Sequence, residues 1–330
     1  MRPSKPMSEI NLNKAAIALD FGGTNIKIGL IRQGKVLNQT LLPAHSGAGI
    51  IPRLPDVQAA VMDLLEQEGL ALGNCSGVGI GLPGLVDPQH LSLLSINEKY
   101  ADAVGFAFGA WVEEAFGLPI VMENDARAAL LGETVYGTAH GESNAVLMIF
   151  GTGIGTAALM NGKIIRGRHF QAGILGGHFV TDVNGSRCSC GGVGCLEAEA
   201  SHWSLQGWLK NQQGYANSLL AIESNIGYRQ VIDASQSGDM LALSAMQHLY
   251  KHWSSGIVNL VHAYDPDVVI LSGGLMKAKD IVLPELVRRV HEQAWTPWGK
   301  VRFIVAENPD SSVLLGLSHL IEEGIDIDYV

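Results

Sequence analysis

From Ala15 to Leu19 the chain is apolar. It stops at Asp20, passes through Phe21-Gly22-Gly23-Thr24-Asn25 and resumes as Ile26-Lys27-Ile28-Gly29-Leu30-Ile31. Such a run reads as a strand, a tight glycine turn and a returning antiparallel strand, with a third strand near Val36 to Leu42. The pattern then predicts a helix over Leu54 to Glu68 with Val57, Val61, Leu64 and Leu65 on one face, and a buried strand over Val78 to Leu82 that stops at Pro83-Gly84. A second helix is expected over Ala107 to Phe116, and a strand over Pro119 to Met122 that delivers Glu123-Asn124-Asp125. A helix follows over Ala126 to Glu133. After Asn144 the arrangement starts again. Ala145 to Phe150 is a strand, Gly151-Thr152-Gly153 a turn, and Ile154 to Met160 a returning strand; Asn161-Gly162 is a hairpin signal and Lys163 to Arg166 the third strand. A long helical stretch near Met240 to Ala263, a strand over Val268 to Leu271, a further helix and a last strand over Val301 to Val305 complete the second round. A duplicated strand and helix order predicts two α/β lobes, with equivalent glycine turns facing each other across a cleft.

Each turn carries chemistry that a plain hairpin does not need. Phosphate oxygens are held by backbone N–H groups that approach without a Cβ in the way, and paired glycines beside a Thr hydroxyl supply that. Neither turn is a P-loop or a dinucleotide fingerprint, because each leads into a strand. Gly22, Gly23 and Thr24, with Gly151, Thr152 and Gly153, are therefore phosphate candidates. Asp20 would face Mg²⁺ through water, with Lys27 on the returning strand beside it. A third turn, Ser272-Gly273-Gly274 after Val268 to Leu271, lies where nucleotides often bind in α/β sheets, although a bare strand-to-helix turn accounts for it equally well. The net charge of −10, with no block of Lys or Arg, argues against a nucleic-acid or anionic-membrane surface. A bound nucleotide would then depend on N–H groups, placed cations and Mg²⁺.

Glu123-Asn124-Asp125 at a strand tip allows two roles. Asn124 or Asp125 is a natural N-cap for the following helix, and a carboxylate there also suits a general base that takes a hydroxyl proton during phosphoryl transfer. The roles are compatible if one residue caps and the other points away. Farther on, His178, Cys188, Cys190 and Cys195 have the spacing of a closed Cys₃His zinc site, with Gly191, Gly192 and Gly194 supplying tight backbone. Cys75 has no partner at such spacing and reads as a small half-buried thiol. The polar leader Met1 to Lys14 is not a secretory signal. The run Ala145 to Met160, broken by glycines, falls short of the ~18 residues of a spanning helix. These features predict a cytoplasmic protein without disulfides.

Taken together, DFGGTNIKIGL, GLPGLVD, ENDARAALLGE, FGTGIGTAALMNGKIIRG, GH…CSCGGVGCLE and DPDVVILSGGL resemble the ROK family of sugar kinases and repressors, over about residues 15 to 320. The resemblance implies two ribonuclease H-like α/β domains of the actin/hexokinase type. The expected division is 1–135 and 136–311, with a C-terminal helix over about 312–330 packing back on the first domain. It further implies transfer of the ATP γ-phosphate to a hexose hydroxyl, most often O6, with Asp125 as base. Gly84, Asn124, His178 and Glu197 would contact sugar, Gly273 and Gly274 would bind nucleotide, and the chain would form a homodimer. Two positions depart from the family. The Glu usual in Glu-x-Gly-His is Leu175, which predicts more room and fewer acceptors near C1/C2 of the sugar. The Asn usual two residues after the base is Arg127. A repressor of this family needs a winged-helix domain ahead of the first strand, for which fourteen residues are too few. A catalytically silent sugar sensor is the remaining alternative.

Overall fold

The computed structural model describes residues 14–97 and 99–323, so most of the leader and the expected end of the last helix, 324–330, lie outside the described residues. β1 (Ala15–Phe21), β2 (Asn25–Arg32) and β3 (Lys35–Pro43) are followed by α1 (Leu54–Gln67), β4 (Cys75–Leu82) and a small hairpin, β5 (Leu85–Asp87) and β6 (Ser92–Ser95). Then come α2 (Phe108–Phe116), β7 (Ile120–Asn124) and α3 (Asp125–Val135). The second round contains β8 (Ala145–Phe150), β9 (Ile154–Met160), β10 (Lys163–Ile164), α4 (Leu196–Ala200), α5 (His202–Lys210), α6 (Tyr228–Gln236), α7 (Met240–Tyr264), β11 (Val268–Gly273), α8 (Lys279–Gln293) and β12 (Arg302–Val305). The last helix is α9 (Pro309–Glu323).

Two sheets repeat one order. The first is β3-β2-β1-β4-β7 and the second β10-β9-β8-β11-β12. In each, the three hairpin strands are antiparallel and the two that follow a helix are parallel to the first. The duplicated pattern predicts the repeat, and the order itself is the ribonuclease H-like one that the family resemblance implies. The Asn161-Gly162 turn joins β9 to β10 with both residues at positive φ, 51° and 75°, the backbone that favours an Asn-Gly pair. The described chain divides into two compact units, one of 14–141, 166–171 and 308–323 and the other of 142–165 and 172–307. Each has its own apolar core. Ile17, Leu19, Ile28, Val57, Val61 and Ile80 are fully buried in the first, as are Val146, Met148, Trp253, Ile257 and Leu271 in the second. Cys75, expected half-buried, is 1% exposed within the first core.

Two details differ from expectation. The strand expected over Lys163 to Arg166 ends at Ile164. Arg166 leaves it because its guanidinium bonds the buried carboxylate of Glu123, with Nη2–Oε2 at 2.7 Å. Residues 166–171, expected in the second domain, accordingly belong to the first unit.

Helix α9 lies on the first sheet over a row of glycines. Along β4 every second residue faces α9, and Gly77, Gly79 and Gly81 occupy those positions opposite Ile321, Leu317 and Val313. Strand period two thus meets helix spacing of four residues over nearly equal lengths. A Cβ at Gly79 would lie 2.8 Å from Leu317 Cβ and 3.3 Å from the Leu317 carbonyl oxygen, so the helix itself would have to move. Gly79→Ala should therefore cost about 1–3 kcal/mol, the usual price of overpacking. Gly73→Ala, with nothing within 4 Å of the added carbon, should be nearly neutral. Urea unfolding of the two variants beside the parent chain checks this.

Candidate active site and thiolate knuckle

In the first unit the parallel register sets Asp20 opposite Gly81 and Leu82 opposite Asn124. The carboxyl ends of β1, β4 and β7 therefore bring Asp20, the turn 22–24, Gly84, Asn124 and Asp125 to one edge of the sheet. Lys27 faces Asp20 directly across the β1–β2 pair and makes an ion pair with Asp310 at 3.2 Å.

The turn after β1 has its carbonyls tied to the protein. Tyr100 Oη–H donates to Gly22 O at 2.8 Å, Ser46 Oγ–H to Gly23 O at 2.8 Å, and Ala44 N–H to Thr24 O at 2.9 Å. Because a peptide plane sets its N–H opposite its C=O, the N–H groups of Gly23 and Thr24 face away from those anchors, where Thr24 is exposed. Tyr100 is fully buried and packs edge-on against Phe21 at 6.1 Å, which fixes the turn from beneath. A residue that the sequence reading passed over lies here. Lys99 is close enough that a Cβ on Gly23 would meet its Nζ at 2.6 Å. It stands outside every recognisable motif, and the scarcity of cations in this chain was its only signal.

Asn124 is the helix cap. Its Oδ1 accepts from Ala126 N–H at 3.0 Å and Arg127 N–H at 3.2 Å, while its Nδ2–H donates to Gly84 O at 3.1 Å. Two expected sugar contacts thus bond to each other. Gly84 has φ +105°, and a Cβ there would collide with Ser95 O, so glycine is required. Beneath them Glu123 is 0% exposed. Its Oε1 accepts from Asn124 N–H at 2.8 Å and lies 3.5 Å from Arg127 Nη1; its Oε2 accepts from Arg166 Nε–H at 2.8 Å. Arg127, also 0% exposed, donates to Phe170 O at 2.9 Å. The arginine that departs from the family pattern is therefore an anchor for the segment Arg166–Gln171.

In the second unit the register Gly273↔Phe150 sets the Ser272-Gly273-Gly274 turn beside Gly151-Thr152-Gly153 at the carboxyl ends of β8 and β11. Gly273 has φ +93°, and a Cβ on it would strike Phe150 O. Thr152 O accepts from Trp203 N–H at 3.1 Å, which turns the Gly153 N–H the other way, as in the first unit. Glu197 buttresses this turn: Oε2 accepts from Ile154 N–H at 2.9 Å and Oε1 from Trp203 Nε1–H at 3.4 Å. Expected to contact sugar, it already has a partner on each oxygen. Gly176 and Gly177 pack closely on β9. A Cβ on the first would meet Thr156 Oγ1 at 2.7 Å, and one on the second would collide with Ile154 O. Leu175 beside them is exposed.

The four expected metal ligands do meet. His178 Nδ1 lies 3.6 Å from Cys188 Sγ and Cys190 Sγ lies 3.6 Å from Cys195 Sγ, and one donor atom from each residue falls within 4.8 Å of all the others. Gly191 and Gly194 have φ of +89° and +70°. The bonds Cys188 N–H to Gly192 O and Gly194 N–H to Ser186 O close the knuckle. Burial and neighbouring thiols push Cys195 up to about 12. Three sulfurs this close become thiolates together only beside a compensating cation, so the donor set fits a tetrahedral soft metal.

At the first unit's edge, burial pushes Asp125 up to about 6, against Ala126 N–H and Lys99, which lower it. Burial and the Asp125 charge push Asp20 up to about 7, with Lys27 acting the other way. A carboxyl whose folded pKa is raised favours folding most when protonated, and that contribution disappears as pH rises from the unfolded value near 4 through the folded one. Asp125→Asn should thus gain stability over the parent as pH rises from about 4 to about 8, by roughly 2 kcal/mol at the upper end, allowing for partial exposure. The two should converge near pH 4. Denaturant melts across that range read the difference directly.

The ROK family model matches residues 16–323. A glucokinase from Thermotoga maritima is 27% identical over 319 residues, covering 94% of this chain and 98% of that one. A putative xylose repressor from Caldicellulosiruptor is 33% identical over 248 residues, covering 73% of this chain and 61% of the repressor. Among solved structures, a ROK family glucokinase from Streptomyces griseus in complex with glucose and AMPPNP superposes with a TM-score of 0.78 at 26% identity, covering 94% of this chain and all of the other. The two-domain α/β architecture is that of the actin-like hexokinase fold. No helix among the described residues is long and apolar enough to cross a membrane. The chain belongs to the ROK family.

Proposed function

We propose that the protein is an ATP-dependent sugar kinase, which transfers the γ-phosphate to a hydroxyl, O6 by preference, of a hexose or hexose derivative. The observation that carries this reading is the placement of Asp125. It is a carboxyl with a pKa near 6, at the sheet edge that also holds Asp20, Lys99 and a turn with outward N–H groups. Such a group is ionised at neutral pH yet close enough to accept a proton efficiently as the hydroxyl attacks. Catalysis of phosphoryl transfer is mostly positioning and charge compensation, and each turn is read for that work. Gly22, Gly23 and Thr24 in one unit, and Gly151, Thr152, Gly153, Gly273 and Gly274 in the other, hold phosphate oxygens or nucleotide through backbone N–H groups. Asp20, with Lys27 behind it, is the hard oxygen donor that holds Mg²⁺ through water. Mg²⁺, when bound, draws charge from the phosphate oxygens. Lys99 does the same from the side of Gly23.

Sugar is held by the Gly84 backbone, Asn124, His178 and Glu197. For Asn124 and Glu197 only capacity left over from their internal bonds is available, so they orient the pocket as much as they line it. His178, Cys188, Cys190 and Cys195 hold a structural Zn²⁺ by His178 Nδ1 and three thiolates, which leaves Nε2 of the imidazole for substrate. Similarity to glucokinases and to a structure holding glucose and AMPPNP supports the kinase reading. Similarity to xylose repressors, with Leu175 in place of the usual Glu, keeps a silent sugar-binding regulator as the second reading.

An ADP-release assay over a panel of hexoses, hexosamines and ketoses separates the two: hexose binding without ADP release would establish the regulator. For the enzyme, Asp125→Asn retains the capping by Asn124 and should fold normally while kcat drops at least ~10²-fold. Turnover in the parent should decline as pH falls below about 6, where the base is protonated. A variant with near-normal turnover removes Asp125 from the chemistry. For the knuckle, Cys190→Ser should lower zinc content by one equivalent per chain, reduce the melting temperature and weaken sugar binding together. Elemental analysis and calorimetry on the same preparation check it.

A further inference from the structure

A second group of donors in the second unit has no part in the chemistry described so far. We propose that Glu199, His248 and His252 form a further metal site, which takes a divalent transition-metal ion of the zinc class.

His248 and His252 stand one turn apart on the same face of α7, with ring centroids 4.5 Å apart, and Glu199 reaches them from α4. One donor atom from each of the three lies within 4.8 Å of the other two. Glu199 is 4% exposed and His252 1%, so the convergence is built into the interior.

Hydrogen bonds leave one donor atom of each residue uncommitted. His248 Nε2 is 2.8 Å from Glu199 O. A carbonyl only accepts, so Nε2 carries the proton and Nδ1 presents a lone pair. Trp208 stacks on this ring at 4.2 Å and holds its plane. His252 Nδ1 lies 2.8 Å from Thr181 Oγ1, whose hydroxyl also reaches the Gly194 carbonyl at 3.5 Å. A hydroxyl that donates there accepts from Nδ1–H and leaves Nε2 as the lone pair. Glu199 Oε1 accepts from Ser186 N–H, leaving Oε2. A hydrogen bond on one nitrogen of each imidazole, with the other left free, is the usual support of a metal-ligating histidine.

Three donor atoms gathered within 4.8 Å of one another in a low-dielectric interior offer a seat for a cation between them. Mg²⁺ prefers oxygen ligands, whereas two imidazoles and a carboxylate match zinc-class ions with a further position open to water. The site shares no ligand with the knuckle. An ion there ties α7 to α4 and to the Thr181 and Ser186 segments on either side of it.

Metal-free protein titrated with Zn²⁺ against a chromophoric chelator provides the test. The parent should bind one equivalent more than either His248→Gln or Glu199→Gln. Gln at 199 can still accept from Ser186 N–H, so the fold should hold, and circular dichroism verifies it for both variants. Loaded with Co²⁺, the extra equivalent should show visible d–d bands without thiolate charge transfer, which distinguishes it from the knuckle whether or not the knuckle is filled. Equal stoichiometry in the parent and both variants overturns the proposal, as does an extra equivalent whose spectrum carries the thiolate bands.

Discussion

Glu123 is the constraint on which the first unit's edge depends. Its carboxylate is fully buried between the guanidinium groups of Arg127 and Arg166, and it also accepts the Asn124 N–H. Losing one member of a buried ion cluster strands the remaining charges, at a cost of about 3–5 kcal/mol, so the geometry is over-determined. Several consequences follow from this one carboxylate. The tip of β7 is held where Asn124 can cap α3 and bond Gly84. Arg166 is drawn out of the strand that β10 would otherwise continue. Arg127, with its other face on Phe170 O, secures the segment between Arg166 and Gln171 to the first unit.

What was legible in the sequence was whatever is encoded locally. Apolar runs broken by glycine turns announced both sheets, Asn161-Gly162 announced its hairpin, and the cysteine spacing announced the knuckle. Asn124 and Asp125 could be seen as cap and acid, and the structure assigns the cap to Asn124. What was not legible depends on partners distant in sequence. Arg127 looked like an unexplained departure because its partners lie some forty residues on, at 166 and 170. Lys99 belongs to no motif. Gly77, Gly79 and Gly81 read as ordinary strand residues, because only the last helix of the chain explains the missing side chains. The close packing of Gly176 and Gly177 on Thr156 and the Ile154 carbonyl of β9 was hidden for a similar reason.

The two units reach anion-ready turns in the same way. In both, carbonyls are tied to neighbouring side chains or backbone, by Tyr100 and Ser46 in one and by the Trp203 N–H in the other, so that the opposite N–H groups face away from those anchors. This resolves an apparent conflict in a chain of net charge −10. Anions need not be held by a basic surface when oriented peptide dipoles already face them. A Cβ at Gly23 would press on the Lys99 side chain and one at Gly153 on the Glu197 carboxylate, so glycine leaves both side chains where they are.

In the kinase reading proposed above, the same edge explains why, of two acids separated by a single residue, Asp125 and not Glu123 would serve as base. Glu123 ends its strand pointing into the interior, and its charge is committed to two arginines. The strand-to-helix switch at Asn124 breaks the alternation, so Asp125 begins α3 on the partly exposed side with Lys99 as a cationic neighbour. A carboxylate already bound to two guanidiniums has little to gain from a proton. One that is buried with a distant cation is held near the point where taking or losing a proton costs little, which is the property that base catalysis requires. Asp20, pushed higher by Asp125 itself, completes the logic. In the kinase proposed above, a cation held at Asp20 would offset the Asp125 charge that, after burial, raises Asp20.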